Sequence, residues 1–410
     1  MSVTDIEIMK PIDNVNRAIS PVRSARYPLL TLLGSKTTRA WCYQILLAAL
    51  CVGFSWWLYS NAVDNMRTQR ITTGFAFLEQ SAQFAIGETL IDYQPSDNYA
   101  RAVLVGLLNT LYVALCGILL ATVLGFIVGL GRVSKNWLLV KLAEAYVELL
   151  RNVPVILQVI FWSVLIRNLP APREAIELFN LGFLTNRGLT VTVLQHHQGW
   201  LWTLLALAVA LLLSHLLVLI SRYLREQHGR IISFSRLRFG LVMGLPLLVW
   251  WLAGAPLQLN RPELQGFNFK GGFTISPEFT ALLLGIALYS SAFIAEIVRS
   301  GIQSVPKGQL EAARSLSLSS WHVTRHVVIP QAMRVMVPPL ASQYVSLTKN
   351  SSIAVVVGYP ELANISNTLM NQTGQALEAI AIMMVVYLII SISTSLLMNV
   401  FNRYVAIKER

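Results

Sequence analysis

Charge is what this sequence has least of. Only 13% of its 410 residues are Asp, Glu, Lys or Arg, whereas soluble domains carry roughly 25%. Cysteine is also scarce: Cys42, Cys51 and Cys116 fall inside apolar runs, at spacings that suit neither a disulfide framework nor a zinc site. No Gly-rich phosphate loop ending in Gly-Lys-Ser/Thr occurs, so a nucleotide site within the chain finds no support. Nor do H-E-x-x-H or G-x-S-x-G occur, which leaves an intramembrane enzyme without an evident catalytic set. The absence of an internal repeat likewise argues against an inverted-repeat secondary transporter.

What is present is apolar, 55% of all residues with a mean hydropathy of +0.57. These residues gather in eight blocks: 40–63, 102–131, 153–166, 200–221, 239–255, 279–298, 335–357 and 379–401. About twenty apolar residues suffice to cross a hydrocarbon layer about 30 Å thick, so the blocks predict an all-α, polytopic membrane protein of about eight transmembrane helices. The shortest block, 153–166, has the length of a re-entrant segment or a packed short helix, but the charge alternation requires it to span.

A net charge of +12 invites a nucleic-acid partner, but the basic residues are distributed by topology. Twenty-three Lys and Arg lie in the N-terminal tail, in alternate loops and in the C-terminal tail, against eight on the opposite side, with Lys349 inside a block. This pattern predicts a multi-pass protein with both termini cytoplasmic and excludes nucleic acid as the explanation of the charge. Because the first apolar block follows a long polar tail, it is expected to remain as an anchor rather than be cleaved as a signal.

The blocks divide the chain into a cytoplasmic tail (1–39), an additional N-terminal span (40–63) and a periplasmic loop (64–101). The loop holds an apolar patch at 71–78 suited to a short helix on the outer surface. A first core part (102–168), an inserted region with an extra helical hairpin (169–277), a second core part (278–402) and a short cytoplasmic tail (403–410) complete it.

Residues 303–332 read as a helix, a break and a second helix. Pro306 suits a first turn, Leu310, Ala313 and Leu316 share one face, and Lys307, Glu311 and Arg314 share another. Ser319 or Ser320 offers an N-cap for the second helix, which is expected to stop near Pro330. On pattern alone such a pair also suits a bilayer surface. Its residues, however, resemble the E-A-A loop of binding-protein-dependent ABC importer permeases: Glu311-Ala312-Ala313, Ser317 where the family has Gly, and an apolar ending at Pro330.

The resemblance extends to the polar-amino-acid branch through Tyr146-Val147-Glu148-Leu149-Leu150-Arg151-Asn152-Val153-Pro154 with Gln158, through Ala295-Glu296-Ile297-Val298-Arg299-Ser300-Gly301, and through Lys349-Asn350-Ser351-Ser352. It implies a type I ABC importer permease core whose coupling helix, with Lys307, Gly308, Gln309, Glu311, Ala312, Ala313, Arg314 and Ser317, docks on a cytoplasmic ATPase dimer. It also implies a bacterial inner-membrane location, a second related permease subunit, a periplasmic solute-binding protein and an amino-acid substrate. The chain itself would bind no cofactor, with ATP and Mg held by the ATPase. An ion-coupled secondary transporter of small polar solutes is the alternative.

Lys349 lies deep in its block, where an ammonium needs a cavity or a partner, and Asn350-Ser351-Ser352 interrupts the apolar run in the manner of a broken helix. Either Lys349 pairs with a carboxylate such as Glu296, or Glu296, Lys349, Asn350, Ser351 and Ser352 border a substrate pathway. Gly125 and Gly129 have the small-xxx-small spacing of closely packed helices, and His196-His197 lacks a third metal ligand.

Overall fold

The computed structural model describes residues 36–68, 74–178, 181–195, 197–228, 234–254 and 257–405. Nearly all of the N-terminal tail, the loop residues 69–73, His196 and the last five residues lie outside that set. Two units divide the chain, residues 1–72 and 73–410. In the first, α1 (Lys36–Thr68) contains an apolar stretch, Arg39–Asn65, long enough to cross a membrane and without a buried face.

The second unit is built on α2 (Tyr99–Arg132) and α7 (Pro277–Gln303). Asn98 caps α2 by accepting from the Arg101 amide, and Ser276 caps α7 by accepting from Phe279, one residue ahead of Pro277 in the first turn. The two helices meet where side chains are missing: a Cβ on Gly125 would stand 2.6 Å from Ile294 Cβ, and one on Gly129 2.7 Å from Val298 Cβ. The small-xxx-small pair therefore forms a real helix contact.

Between them in sequence, α3 (Trp137–Asn152) and α4 (Val155–Arg167) turn through 102°. Pro154 has no amide hydrogen and pushes Val153 to an extended conformation (φ −94°, ψ 125°), which ends α3. Gln158 mends the break, its Nε2 donating to the carbonyls of Leu150 (2.8 Å) and Val153 (3.0 Å). The block 153–166 is thus the second limb of a bent pair.

The inserted region holds a hairpin of two long helices, α5 (Gln198–His228) and α6 (Ser235–Leu252). Its flanking loops contain short strands that their Pro, Gly and Asn content did not announce. Strands β1 (Ile176–Leu178), β2 (Gly182–Thr185), β3 (Gly188–Val191) and β8 (Phe273–Ile275) form an antiparallel sheet in that order. Two-stranded pairs join β4 (Val193–Leu194) to β5 (Leu259–Asn260) and β6 (Glu263–Gln265) to β7 (Asn268–Lys270). Helices still dominate the chain.

After α7 come α8 (Lys307–Ser315), α9 (Ser320–Val323), a π-helical turn (Thr324–Val328), α10 (Ile329–Asn350), a 3-10 segment (Ser351–Val356), α11 (Leu362–Thr373) and α12 (Ala376–Val405). Among the described residues six helices, α1, α2, α5, α6, α7 and α12, are long and apolar enough to span, and the bent pair, counted as one span, raises this to seven. The remaining block, 335–357, is split between α10 and the 3-10 segment. The patch at 71–78 is not a surface helix where it is described: Ala76–Glu79 is one 3-10 turn whose Phe77 ring is buried edge-on against Tyr99, 6.0 Å between centroids. Apolar side chains without a lipid to enter pack inward.

Candidate coupling segment and substrate cleft

Residues 303–332 take the helix, break and helix form of the sequence, with three corrections. Pro306 precedes α8, Ala313 is buried and Leu310 is half-buried, so one face seats on the protein. Lys307, Gly308, Gln309, Glu311, Ala312 and Arg314 are exposed. Leu316, expected on the seated face, instead caps the helix end and is 74% exposed, because Ser317 turns the chain into the left-handed region at φ 55°. Glycine is the residue that adopts this conformation without strain.

Ser319 stands at the N-cap of α9, but its hydroxyl lies 2.7 Å from His322 Nδ1 and makes no cap bond. The second helix also does not stop near Pro330. The π turn shifts the hydrogen bonding by one residue, the Ile329 amide donating to the Thr324 carbonyl, and Pro330 then falls in the first turn of α10, where a missing N–H is tolerated. Close by, Trp321 is 63% exposed. Leu316 and Trp321 thus leave large apolar surfaces open beside exposed charged and small residues, a composition that suits a protein or a membrane contact.

Glu296 does not pair with Lys349. Its carboxylate accepts from Arg132 Nη1 and from Arg299, whose Nε lies 3.1 Å from Oε1. Arg299 sits one turn along α7, and the glycine contact at Gly129 brings the end of α2, with Arg132, alongside. Lys349 is exposed on the last turn of α10, with no carboxylate within 4.0 Å among the described residues. The helix breaks where the sequence indicated: Asn350 ends α10, Ser351 is buried with its hydroxyl on the Thr348 carbonyl, and Ser352 bonds the Lys349 carbonyl at 2.9 Å. Lys349 and Ser352 open on a cleft of about 520 Å³ whose far wall is α12, with Met383, Met384, Tyr387 and Ser391.

The family model for the binding-protein-dependent transport system inner membrane component matches residues 219–408, which include both the coupling segment and the cleft. YhdX of Escherichia coli (strain K12), provisionally named as an amino-acid ABC transporter permease protein, is 50% identical over 91% of this chain and 96% of its own. AapQ of Rhizobium johnstonii, a general L-amino acid transport system permease protein, is 42% identical over 95% of this chain and 98% of its own. BztB of Rhodobacter capsulatus, a glutamate/glutamine/aspartate/asparagine transport system permease protein, is 35% identical over 94% and 98%. This chain belongs to the amino-acid ABC transporter permeases. An ion-coupled secondary transporter is correspondingly disfavoured.

The permease also uses residues that sequence reading missed. Glu361 is fully buried at the start of α11. One oxygen accepts from the amides of Ala363 (2.8 Å) and Asn364 (3.0 Å), and the other accepts from the Tyr387 hydroxyl (2.6 Å) with Thr110 Oγ1 3.2 Å away. Thr110 in turn accepts from the Leu362 amide, and Asn109 Nδ2 donates to the carbonyls of Glu88 and Pro360. A buried carboxylate is tolerable when its lone pairs are met in this way. Nothing in the residue pattern flags it, since a glutamate following Pro360 in a loop looks solvated.

The expected outer loop contributes Glu88 to a polar pocket shared with Ser276, Glu278 and Asn364. Burial pushes the Glu88 carboxyl up from its ordinary value, Glu278 adds to the rise, and a hydrogen bond from Ser276 opposes it. His197 Nδ1 accepts from the Gly199 amide at 3.0 Å, a local turn contact.

Proposed function

We propose that the permease moves amino acids across the bacterial inner membrane by alternating access, driven through α8 and the turn at Ser317 by a separate ATPase dimer. The observation that carries this reading is the open apolar surface of Leu316 and Trp321 beside the exposed Glu311-Ala312 edge of α8. Small residues let a helix seat closely in a groove, while Glu311 and Arg314 supply charged contacts at its rim. The excess of Lys and Arg on this side supports a cytoplasmic location for the segment and for both termini.

In this reading ATP and Mg belong to the ATPase, and a periplasmic solute-binding protein selects and delivers the solute. A second, related permease completes the passage. Lys349, Asn350, Ser351 and Ser352 border the route, and Glu296, clamped between Arg132 and Arg299, stands nearer its cytoplasmic end. The names of YhdX, AapQ and BztB support amino acids as the solute class.

Cysteines placed at Gln309 and Ala312 of the assembled transporter test the docking. Crosslinks to a soluble ATP-hydrolysing subunit are expected, and Glu311→Lys is expected to abolish ATP-driven uptake or release that subunit. An active preparation in which both positions crosslink to nothing but lipid overturns the proposal. Mass determination of the intact complex tests the second permease, for which a chain of different mass is expected.

A further inference from the structure

We propose that the cleft between the end of α10 and α12 is a binding station for the carboxylate of the solute, with Lys349 as its anchor and Ser391 as a second donor. The proposal rests on the permease reading above and names the chemistry of one step along the route.

Two polar groups in this cleft lack what such groups normally have. The Lys349 ammonium has no carboxylate within 4.0 Å among the described residues, and it stands where α10 gives way to the 3-10 segment. The Ser391 hydroxyl is buried and has no hydrogen-bond partner among the described residues. Both line the same cleft. An unpaired cation and an unsatisfied hydroxyl are what a bound carboxylate would complete, one by charge and the other by donation.

The rest of the wall fits the remainder of an amino acid. Met383 and Met384 supply flexible, polarizable surface that adapts to side chains of different shape, which suits a site taking several amino acids. Tyr387 is fixed, because its hydroxyl is held by the buried Glu361, itself locked by Ala363 and Asn364. A volume of about 520 Å³ lies within the range of small-molecule sites, roughly 300–1,000 Å³. The 3-10 segment Ser351–Val356 begins at the cleft, so a change in its helical winding would move Ser352 relative to Lys349.

The test uses the complete transporter in lipid nanodiscs, with Cys42, Cys51 and Cys116 replaced by serine and Ser352→Cys introduced. Anionic ethylsulfonate and cationic trimethylammonium methanethiosulfonates are compared as labels. Comparing the two removes any effect of Lys349 on thiol ionisation, which accelerates both alike. The anionic reagent is expected to react roughly fivefold to tenfold faster, and Lys349→Met to erase that preference while Lys349→Arg keeps it. A mixture of L-glutamate, L-glutamine and L-leucine is expected to slow labelling, whereas their α-methyl esters leave it unchanged. Labelling without charge preference, or equal protection by the esters, overturns the proposal. ATP turnover by the same samples separates the two readings: intact turnover with an indifferent cleft refutes the station alone, whereas a permease that recruits no ATPase refutes the transport reading.

Discussion

A methyl group is too large for Gly129. Its Cβ would stand 2.9 Å from the Ala295 carbonyl oxygen as well as against Val298, and neither backbone nor a β-branched side chain yields easily. Gly129→Ala is therefore expected to lower stability by about 1–3 kcal/mol, seen as a lower thermal unfolding midpoint of the detergent-solubilised permease. Ser317 presents the opposite case, a side chain where glycine fits better. Ser317→Gly should stabilise the segment by about 1 kcal/mol, read as slower amide exchange across residues 312–320. Glu88 adds a pH dependence: with its folded value raised, its stabilising contribution is complete below the ordinary value of 4.5 and is lost as pH rises through the folded value. Glu88→Gln is expected to raise the unfolding midpoint at pH 7 and leave it nearly unchanged at pH 4. Of these positions, Ser317 was legible because its family motif names a glycine, and Gly129 as half of a spacing pattern. Glu88 and Glu361 were not, since burial of a loop carboxylate depends on distant partners such as Ser276, Thr110 and Tyr387.

Periodicity located helices well and their ends less well. The break at Val153–Pro154 follows from local stereochemistry, and Gln158 could be read one turn on, but the 102° angle depends on the packing of α4 against α7. That packing turns on Gly285, where a Cβ would meet Val159 Cα at 2.9 Å. A proline ordinarily ends a helix, but at Pro330 the preceding π turn lets the helix run on to Asn350. A π turn amounts to one inserted residue in a regular helix. Deleting one residue of the regular winding beyond it, such as Gln331, leaves the π turn unable to absorb the change and is expected to rotate the preceding coupling segment by about 100° relative to the rest of α10. ATP-driven uptake should then fall sharply while the protein still purifies as a folded species with an unchanged helical circular dichroism signal. Full uptake by the deletion variant would show that the angular setting of α8 carries no mechanical information.

At the level of the whole chain, hydropathy and charge alternation gave membrane residence and the order of the helices. They could not show that residues 335–357 divide between two kinds of helix, because Lys349, the prolines and the serines there still leave a predominantly apolar average. Nor could they reveal the strands, whose pairing joins segments far apart in sequence. Val191 of β3 lies opposite Phe273 of β8, with all of residues 192–272 looped out between them. The two ends of that excursion are already neighbours, so it can be cut away at its stem without pulling the remaining chain apart. A tight Asn-Gly connection across the gap would turn the adjoining strands into an ordinary hairpin, leaving a compact translocator to which the α5–α6 pair is an accessory. Lineages could thus gain or shed this appendage in a single genetic event.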